Sequence, residues 1–378
     1  MVLFLHNRYR TTGGEERVVE DLLALVREAL GEDAELLARD SSSLGAARAA
    51  RGLLRGGLDE QEVAAAVRRT RARVVHAHNL LPGLGWRALA AARSAGARVV
   101  LHLHQYRLVC AVGVCFTDGR DCTRCHARNT LPGVVHNCRA SRAEALAYAS
   151  SLALWQRRMA ELADVVVVPS RFAERRLAEL GAPLPAGRVR VLAPPVPLAD
   201  EALEERGHAL VVSRLAPEKG VDVAIEACRL AGIPLVVAGE GPERARLSAL
   251  AAGADVRFEG RVERERLAGL RAGASIALVP SRSAETFGIA AAEAMAAGLP
   301  VAASRIGALP ELIEDRALVA PGDPRALAEA IGRLAGDREL GAGGRRRVSE
   351  VCAPEVVAAG LAAIYDEAGA SDGRGDPP

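Results

Sequence analysis

Lysine occurs once in the 378 residues: Lys219, near the end of the stretch Ser213-Arg214-Leu215-Ala216-Pro217-Glu218-Lys219-Gly220. The chain holds 49 Lys+Arg, so 49 − 1 = 48 of its cations are arginines, and one of them, Arg214, shares this loop. A guanidinium fork and a compact ammonium on one short loop suit a phosphate or diphosphate. A solvated turn with a chance lysine is the plain alternative. Carboxylates come next: Glu285 in Ser283-Ala284-Glu285-Thr286-Phe287-Gly288-Ile289, and Glu293 eight residues on, inside an alanine-rich segment. A carboxylate emerging from a helix apolar on nearly every side must have partners. Sugar or ribose hydroxyls fit, and so does an ion pair with an arginine. The backbone N–H groups of Phe287, Gly288 and Ile289 open that helix, where donors without intrahelical partners favour an anion.

Two further loops carry polar chemistry. Thr11-Thr12-Gly13-Gly14-Glu15 pairs glycines ahead of a helix, which allows close backbone approach to a ligand; a tight turn explains them equally. His76-x-His78 and His102-x-His104 end two apolar runs, and histidines gathered at strand ends suit ligand contact better than one alone.

Five of the seven cysteines fall between positions 110 and 138, with Cys122-x-x-Cys125 flanked by Cys110 and Cys138. In a reducing compartment this spacing favours structural zinc on Cys110, Cys122, Cys125 and Cys138, with His126 and His136 as substitutes. Free thiols or disulfides stay open as alternatives.

The elements that must position these residues alternate short apolar runs with helical ones, the pattern of βα units and a parallel sheet. Strands are expected at Val2–His6, Val74–His78, Val99–His104, Val165–Pro169 and Val189–Leu192. The proline-rich segment 193–200 reads as a linker, after which the pattern restarts at Leu210–Ser213 and runs to a strand at Pro300–Ser304. Two doubly wound α/β domains follow, with ligands expected in the cleft outside the carboxyl ends of their strands. Net charge is only +2 and aromatics are 3%, which argues against nucleic acid as a partner. The N-terminal segment MVLFLHNRYR lacks the apolar core of a signal peptide, so a cytoplasmic protein is expected.

The set GGEE, HQYRLVC, SRLAPEKG, GEGPE, ETFGIAAAEAMAAGLPV and GALPE resembles the retaining glycosyltransferases of family four, of GT-B fold, in the expected order along nearly the whole chain. The resemblance implies an N-terminal acceptor-side Rossmann-like domain at 1–198 with a cysteine-rich insert at 107–140, as in a subset of the family. It implies a donor-binding Rossmann-like domain at 207–350, a helix at about 354–368 packed back on the first domain, and a disordered tail at 369–378. The implied reaction moves a sugar from a UDP- or GDP-sugar to an acceptor hydroxyl on a glycan, a lipid-linked glycan or a small molecule, with retention. It belongs to polysaccharide, glycolipid or natural-product synthesis.

Carried over by position, Arg214 and Lys219 bind the departing diphosphate, Glu285 holds hydroxyls of the donor sugar and Glu293 those of the ribose. The amides of Phe287, Gly288 and Ile289 meet the diphosphate. Gly13 and Gly14 line the donor and acceptor side, His104 sits beside the sugar, and the Val262 backbone meets the base. No catalytic metal is expected. Gln105 stands where the family often has aspartate, which puts a proton-transfer role for His104 in doubt, and Ala308 replaces a usual glycine. A sugar-nucleotide epimerase of the same fold, a pyridoxal-phosphate phosphorylase and a two-lobed binding protein are weaker readings, because SRLAPEKG and the Glu285/Glu293 pair fit transferases. Basic Arg48–Arg55, or Arg142–Leu162 with Trp155 and Met159, could touch a membrane peripherally, although core packing accounts for the second.

Overall fold

The computed structural model describes residues 1–10, 13–198 and 207–370. Thr11, Thr12, the end of the linker at 199–200 and the tail from 371 lie outside the described residues. The chain divides into two compact units: residues 1–115, 122–195 and 354 onward form the first, and residues 116–121 with 196–353 the second.

Chain order in the first part runs β1 (Val2–Arg8), α1 (Gly14–Glu28), β2 (Ala34–Asp40), α2 (Ala46–Arg55), α3 (Glu60–Thr70), β3 (Val74–Ala77), α4 (Gly85–Ser94) and β4 (Arg98–His102). A hairpin, β5 (Phe116–Thr117) and β6 (Arg120–Asp121), comes next and clusters with the second unit. The insert expected at 107–140 is therefore divided between the units. Then follow α5 (Leu131–Val135), α6 (Arg142–Glu161), β7 (Val165–Val168), α7 (Arg171–Glu179) and β8 (Val189–Val191). The first unit's sheet has the order β2-β1-β3-β4-β7-β8, with every pair parallel. Its central strands are buried along their length, Val165–Val168 entirely, as a parallel sheet covered on both faces requires.

The second unit contributes β9 (His208–Val212), α8 (Val221–Ala231), β10 (Leu235–Ala238), α9 (Arg244–Leu250), β11 (Val256–Gly260), α10 (Arg264–Ala272) and β12 (Ala274–Val279). It continues through α11 (Ile289–Ala296), β13 (Val301–Ser304), α12 (Leu309–Leu312), β14 (Leu318–Val319), α13 (Pro324–Leu334) and α14 (Arg338–Cys352). Its sheet, β11-β10-β9-β12-β13-β14, is also parallel throughout. The order reverses between β9 and β12, so the loops leaving those two strands flank a topological switch point, where such sheets hold their ligands.

The final helix, α15 (Pro354–Ala370), belongs to the first unit and packs on β3, β4 and β7. The stretch Arg338–Gly369 is long and apolar enough to cross a membrane by length and composition, yet Val357, Leu361, Ile364 and Tyr365 on it are core residues. β4 ends at His102 rather than at the expected His104, which leaves His104 on the following loop. Met159 is a core residue, and the Trp155 indole N–H donates to the Leu54 carbonyl at 3.1 Å where α6 packs on α2.

Candidate functional site

In the second unit, SRLAPEKG leaves β9 and forms a turn of 3-10 helix at Pro217–Lys219. Gly220 follows with φ +63°, and a Cβ there would stand 2.1 Å from the Pro280 carbonyl oxygen. Only glycine brings this loop so close to the end of β12. The consequence is a direct contact between the two loops of the switch point: Lys219 Nζ donates to Glu285 Oε1 at 2.6 Å, and Ser281 Oγ donates to the same oxygen at 2.6 Å. Burial pushes the Glu285 carboxyl up, but Lys219, Ser281 and Arg214 outweigh it and hold the group below the ordinary carboxylate value. Glu285 is thus an anion at neutral pH. Gly307, φ +63°, supports it from beneath; a Cβ there would lie 2.3 Å from the Glu285 nitrogen. The Ala308 N–H donates to the Glu285 carbonyl at 2.9 Å.

Arg214 Nη2 donates to Glu218 Oε1 within the same loop. The Glu218 carbonyl in turn accepts from Arg282 N at 2.8 Å, tying SRLAPEKG to the loop after β12 a second time. Both cations of the loop are therefore matched with carboxylates. Glu218 was not singled out from the sequence, although its spacing of four from Arg214 was the available signal.

Glu293 on α11 pairs with Arg271 Nη2 of α10, and both side chains are largely buried. The ion-pair alternative weighed for Glu293 is present in the structure; the carboxylate can still accept hydroxyls beside a guanidinium. Gly288, φ +101°, caps α11 and lets Phe287–Ile289 turn into the helix, where an added Cβ would strike Leu309 Cδ2 at 2.6 Å. Val262 lies between β11 and α10, on the same carboxyl side of the sheet as SRLAPEKG.

In the first unit, Gly13 caps α1 in extended conformation and donates its N–H to Glu16 Oε2 at 2.8 Å; Gly14 begins the helix. Glu16 Oε1 accepts from Tyr9 N at 3.0 Å and stands 3.9 Å from His6 Nε2. Burial raises the Glu16 carboxyl, but these contacts win and leave it below the ordinary value. Gln105 Nε2 donates to Glu15 Oε2 at 3.0 Å and to Tyr9 Oη at 3.2 Å. A carboxylate, that of Glu15, thus reaches Gln105, which stands where the family often has aspartate. His104 Nε2 lies 2.8 Å from His78 Nδ1, and burial lowers the His104 pKa, offset in part by Glu15. Sequence alone assigns no role to Glu15, Glu16 or Tyr9, though GGEE contains two of them.

The family model described as Glycosyl transferases group 1 matches residues 199–347, and that for a Glycosyl transferase 4-like domain matches residues 10–195. The chain belongs to this glycosyltransferase family. A relative is the "MMP alpha-(1->4)-mannosyltransferase" of Mycolicibacterium hassiacum, 36% identical over 191 residues, which are 48% of this chain and 44% of that protein. Another is the "GDP-mannose-dependent alpha-(1-6)-phosphatidylinositol dimannoside mannosyltransferase" of Mycobacterium tuberculosis, 44% identical over 125 residues, 31% of this chain and 32% of that one. The chain spans less than half the length of these curated relatives. Among solved structures, sucrose-phosphate synthase from Thermosynechococcus elongatus superposes with TM-score 0.70 at 20% identity, covering 98% of this chain and 100% of that one. Anabaena HepE in complex with UDP superposes with TM-score 0.65 at 18% identity, covering 97% and 99%. These likenesses establish the GT-B fold.

The cysteines of this glycosyltransferase family member are all thiols in the structure. Cys110 accepts from the Cys115 thiol and from the N–H groups of Cys115, Gly113 and Val112, which overcome burial and bring it down to about 6. Cys125 is pushed up to about 11, first by burial and then by Cys110, with Cys122 and Cys138 adding to it. The four thiols are not drawn together into a ligand cage, because among the described residues the group whose ligand atoms all lie within 4.8 Å of one another is His76, His78 and His102.

Proposed function

We propose that the protein is a retaining glycosyltransferase that takes its sugar from a nucleotide-diphosphate donor. The observation that carries this reading is the Lys219–Glu285 contact at the β9/β12 switch point, with Arg214 on the same loop. Lys219 and Arg214 bind the diphosphate and stabilise the charge that builds on it as the glycosidic bond breaks, exchanging their carboxylate partners for phosphate oxygens. Glu285, already ionised, accepts hydroxyls of the transferred sugar. Glu293 and the Val262 backbone take the nucleoside, the amides of Phe287–Ile289 the diphosphate, and His104 a contact with the sugar. Retention follows a front-face course in which the leaving phosphate helps to remove the acceptor proton.

The donor to try first is GDP-mannose, since relatives are named as GDP-mannose-dependent mannosyltransferases; UDP-sugars follow. For the acceptor we propose a glycan or lipid-linked glycan met in the cytoplasm. Exposed Leu54, Leu146 and Leu154 on α2 and α6, beside the basic residues of α2, support peripheral contact with an anionic membrane. Cys110, Cys122, Cys125 and Cys138 are proposed as the ligands of a structural zinc that folds the insert, which metal content of reduced protein before and after chelation would check.

The reading is tested by incubating the protein with a panel of nucleotide sugars and following nucleotide release, with and without lipid and glycan acceptors. Release from one donor, with transfer at unchanged anomeric configuration, is expected. Absence of release from every donor would overturn it, and isomerised donor with no free nucleotide would point to the epimerase.

A further inference from the structure

Alternation along adjacent strands places Phe4, His6, His76 and His102 on one face of the first unit's sheet, and His78 and His104 follow just past the ends of β3 and β4. The registers β1/β3 and β3/β4 set these side chains next to one another. The rings form a continuous stack, with His76–His102 centroids 5.3 Å apart, His76–His78 4.4 Å and His78–His102 5.4 Å. His76, His78 and His102 are each no more than 3% exposed. One ring nitrogen of each lies within 4.8 Å of the others.

A hydrogen-bonded stack of neutral imidazoles would leave every nitrogen satisfied. Here it does not: His78 Nε2 is buried with no hydrogen-bond partner. A buried ring nitrogen without a partner is costly in either tautomer. The remaining contacts have the arrangement of metal-ligating histidines, whose distal nitrogens are held by outer partners. His76 Nδ1 lies 2.8 Å from the Tyr365 hydroxyl of α15, and His78 Nδ1 lies 2.8 Å from His104 Nε2. His76 Nε2 and His102 Nδ1 are 3.2 Å apart. Two nitrogens bound at about 2.05 Å to a tetrahedral zinc stand roughly 3.3 Å from one another, so this separation matches a shared ion as well as a hydrogen bond.

We propose that His76, His78 and His102 form a binding site for one late first-row transition-metal ion, with zinc as the probe. The site is separate from the cysteine cluster, and it does not depend on the transferase reading. Glu15 and Glu16 supply negative potential at this end of the sheet, since both act electrostatically on His104. Bound through Nε2, His78 would carry its proton on Nδ1 and donate it to His104 Nε2. The ion would then fix the tautomer of the histidine assigned to the sugar, and only this last consequence rests on the proposed function.

The test loads reduced, full-length protein with zinc, removes loosely held metal by gel filtration, and measures stoichiometry and the X-ray absorption of the bound zinc. Thiolate sulfur at about 2.3 Å and imidazole nitrogen at about 2.0–2.1 Å give separate shells. The proposal expects a tightly held zinc equivalent beyond any held by the cysteines, seen as a nitrogen shell at about 2.0–2.1 Å that is lost in His78→Gln, with affinity weakened roughly 10- to 100-fold in Tyr365→Phe, which removes only the outer partner of His76. Wild-type protein whose zinc shows sulfur ligands alone, or that holds no zinc, overturns it. So does a folded His78→Gln that keeps the nitrogen-bound equivalent. If His78→Gln does not fold, the wild-type spectrum and the Tyr365→Phe affinity decide; unchanged affinity in Tyr365→Phe counts as refutation.

Discussion

Lys219 Nζ and Glu285 Oε1 are joined across 2.6 Å, although 66 residues separate them, and each is less than a third exposed. As an exposed loop charge, Lys219 would matter little to folding. Paired with a largely buried carboxylate, it matters more. Lys219→Ala strands the Glu285 anion and is expected to cost about 1–3 kcal/mol. Adding Glu285→Gln to that variant should recover most of the loss, with a coupling of roughly 1–2 kcal/mol in a denaturation cycle. Strictly additive effects would mean that the two side chains are not paired in solution.

The same pair sets an acid limit. The folded Glu285 carboxyl lies below its ordinary value of 4.5, so its stabilisation is complete above that value and is lost as pH falls through the lower folded one. Melting curves from neutral pH downward should show the wild type above Glu285→Gln by a constant margin that shrinks only below about pH 4.5. A margin that disappears between pH 7 and 5 would assign the effect to another group.

Glu293 has two roles to separate, its pair with Arg271 and the proposed ribose contact. Calorimetric titration with GDP and with 2′,3′-dideoxy-GDP distinguishes them. Glu293→Gln should weaken GDP about tenfold and leave the dideoxy nucleotide nearly unchanged, a difference of about 1.4 kcal/mol. Equal weakening of both would reduce Glu293 to a structural role.

Gly307 supports Glu285 through a backbone approach that no side chain allows. Gly307→Ala combines a left-handed φ with an overlap on the Glu285 nitrogen, and should cost at least about 1 kcal/mol while lowering turnover of the folded fraction. Gly336, also left-handed but with nothing within 4 Å of its added Cβ, is the control: its alanine variant bears the strain without the overlap. Equal turnover in the two folded variants would show that the approach does not position Glu285.

The two sheets were legible because Val-rich runs such as Val165–Val168 and Leu235–Ala238 are buried on both faces and stand out from the helices between them. β2 was not, since Ala34-Glu35-Leu36-Leu37-Ala38-Arg39-Asp40 forms an edge strand with one neighbour and its apolar run is only Leu36-Leu37-Ala38 between charged residues. SRLAPEKG and Glu285 could be identified as candidate chemistry, because a guanidinium and an ammonium share one short loop and Glu285 sits in the loop ahead of an alanine-rich helix. Their contact could not, because it depends on strand order: β9 and β12 are neighbours although two strands separate them in the chain. Tyr365 was hidden for the same reason. It reaches His76 from a helix 289 residues away, and local spacing carries no record of such a return.

The central claim is that Lys219 stabilises the departing diphosphate, and turnover of Lys219→Ala on the donor found in the nucleotide-release panel tests it most directly. With the fold verified by melting curve, turnover should fall about 100- to 1,000-fold, the scale of losing one charge-stabilising donor at a leaving group. Glu285→Gln added to Lys219→Ala should restore stability without restoring turnover. Wild-type turnover by folded Lys219→Ala would contradict the account.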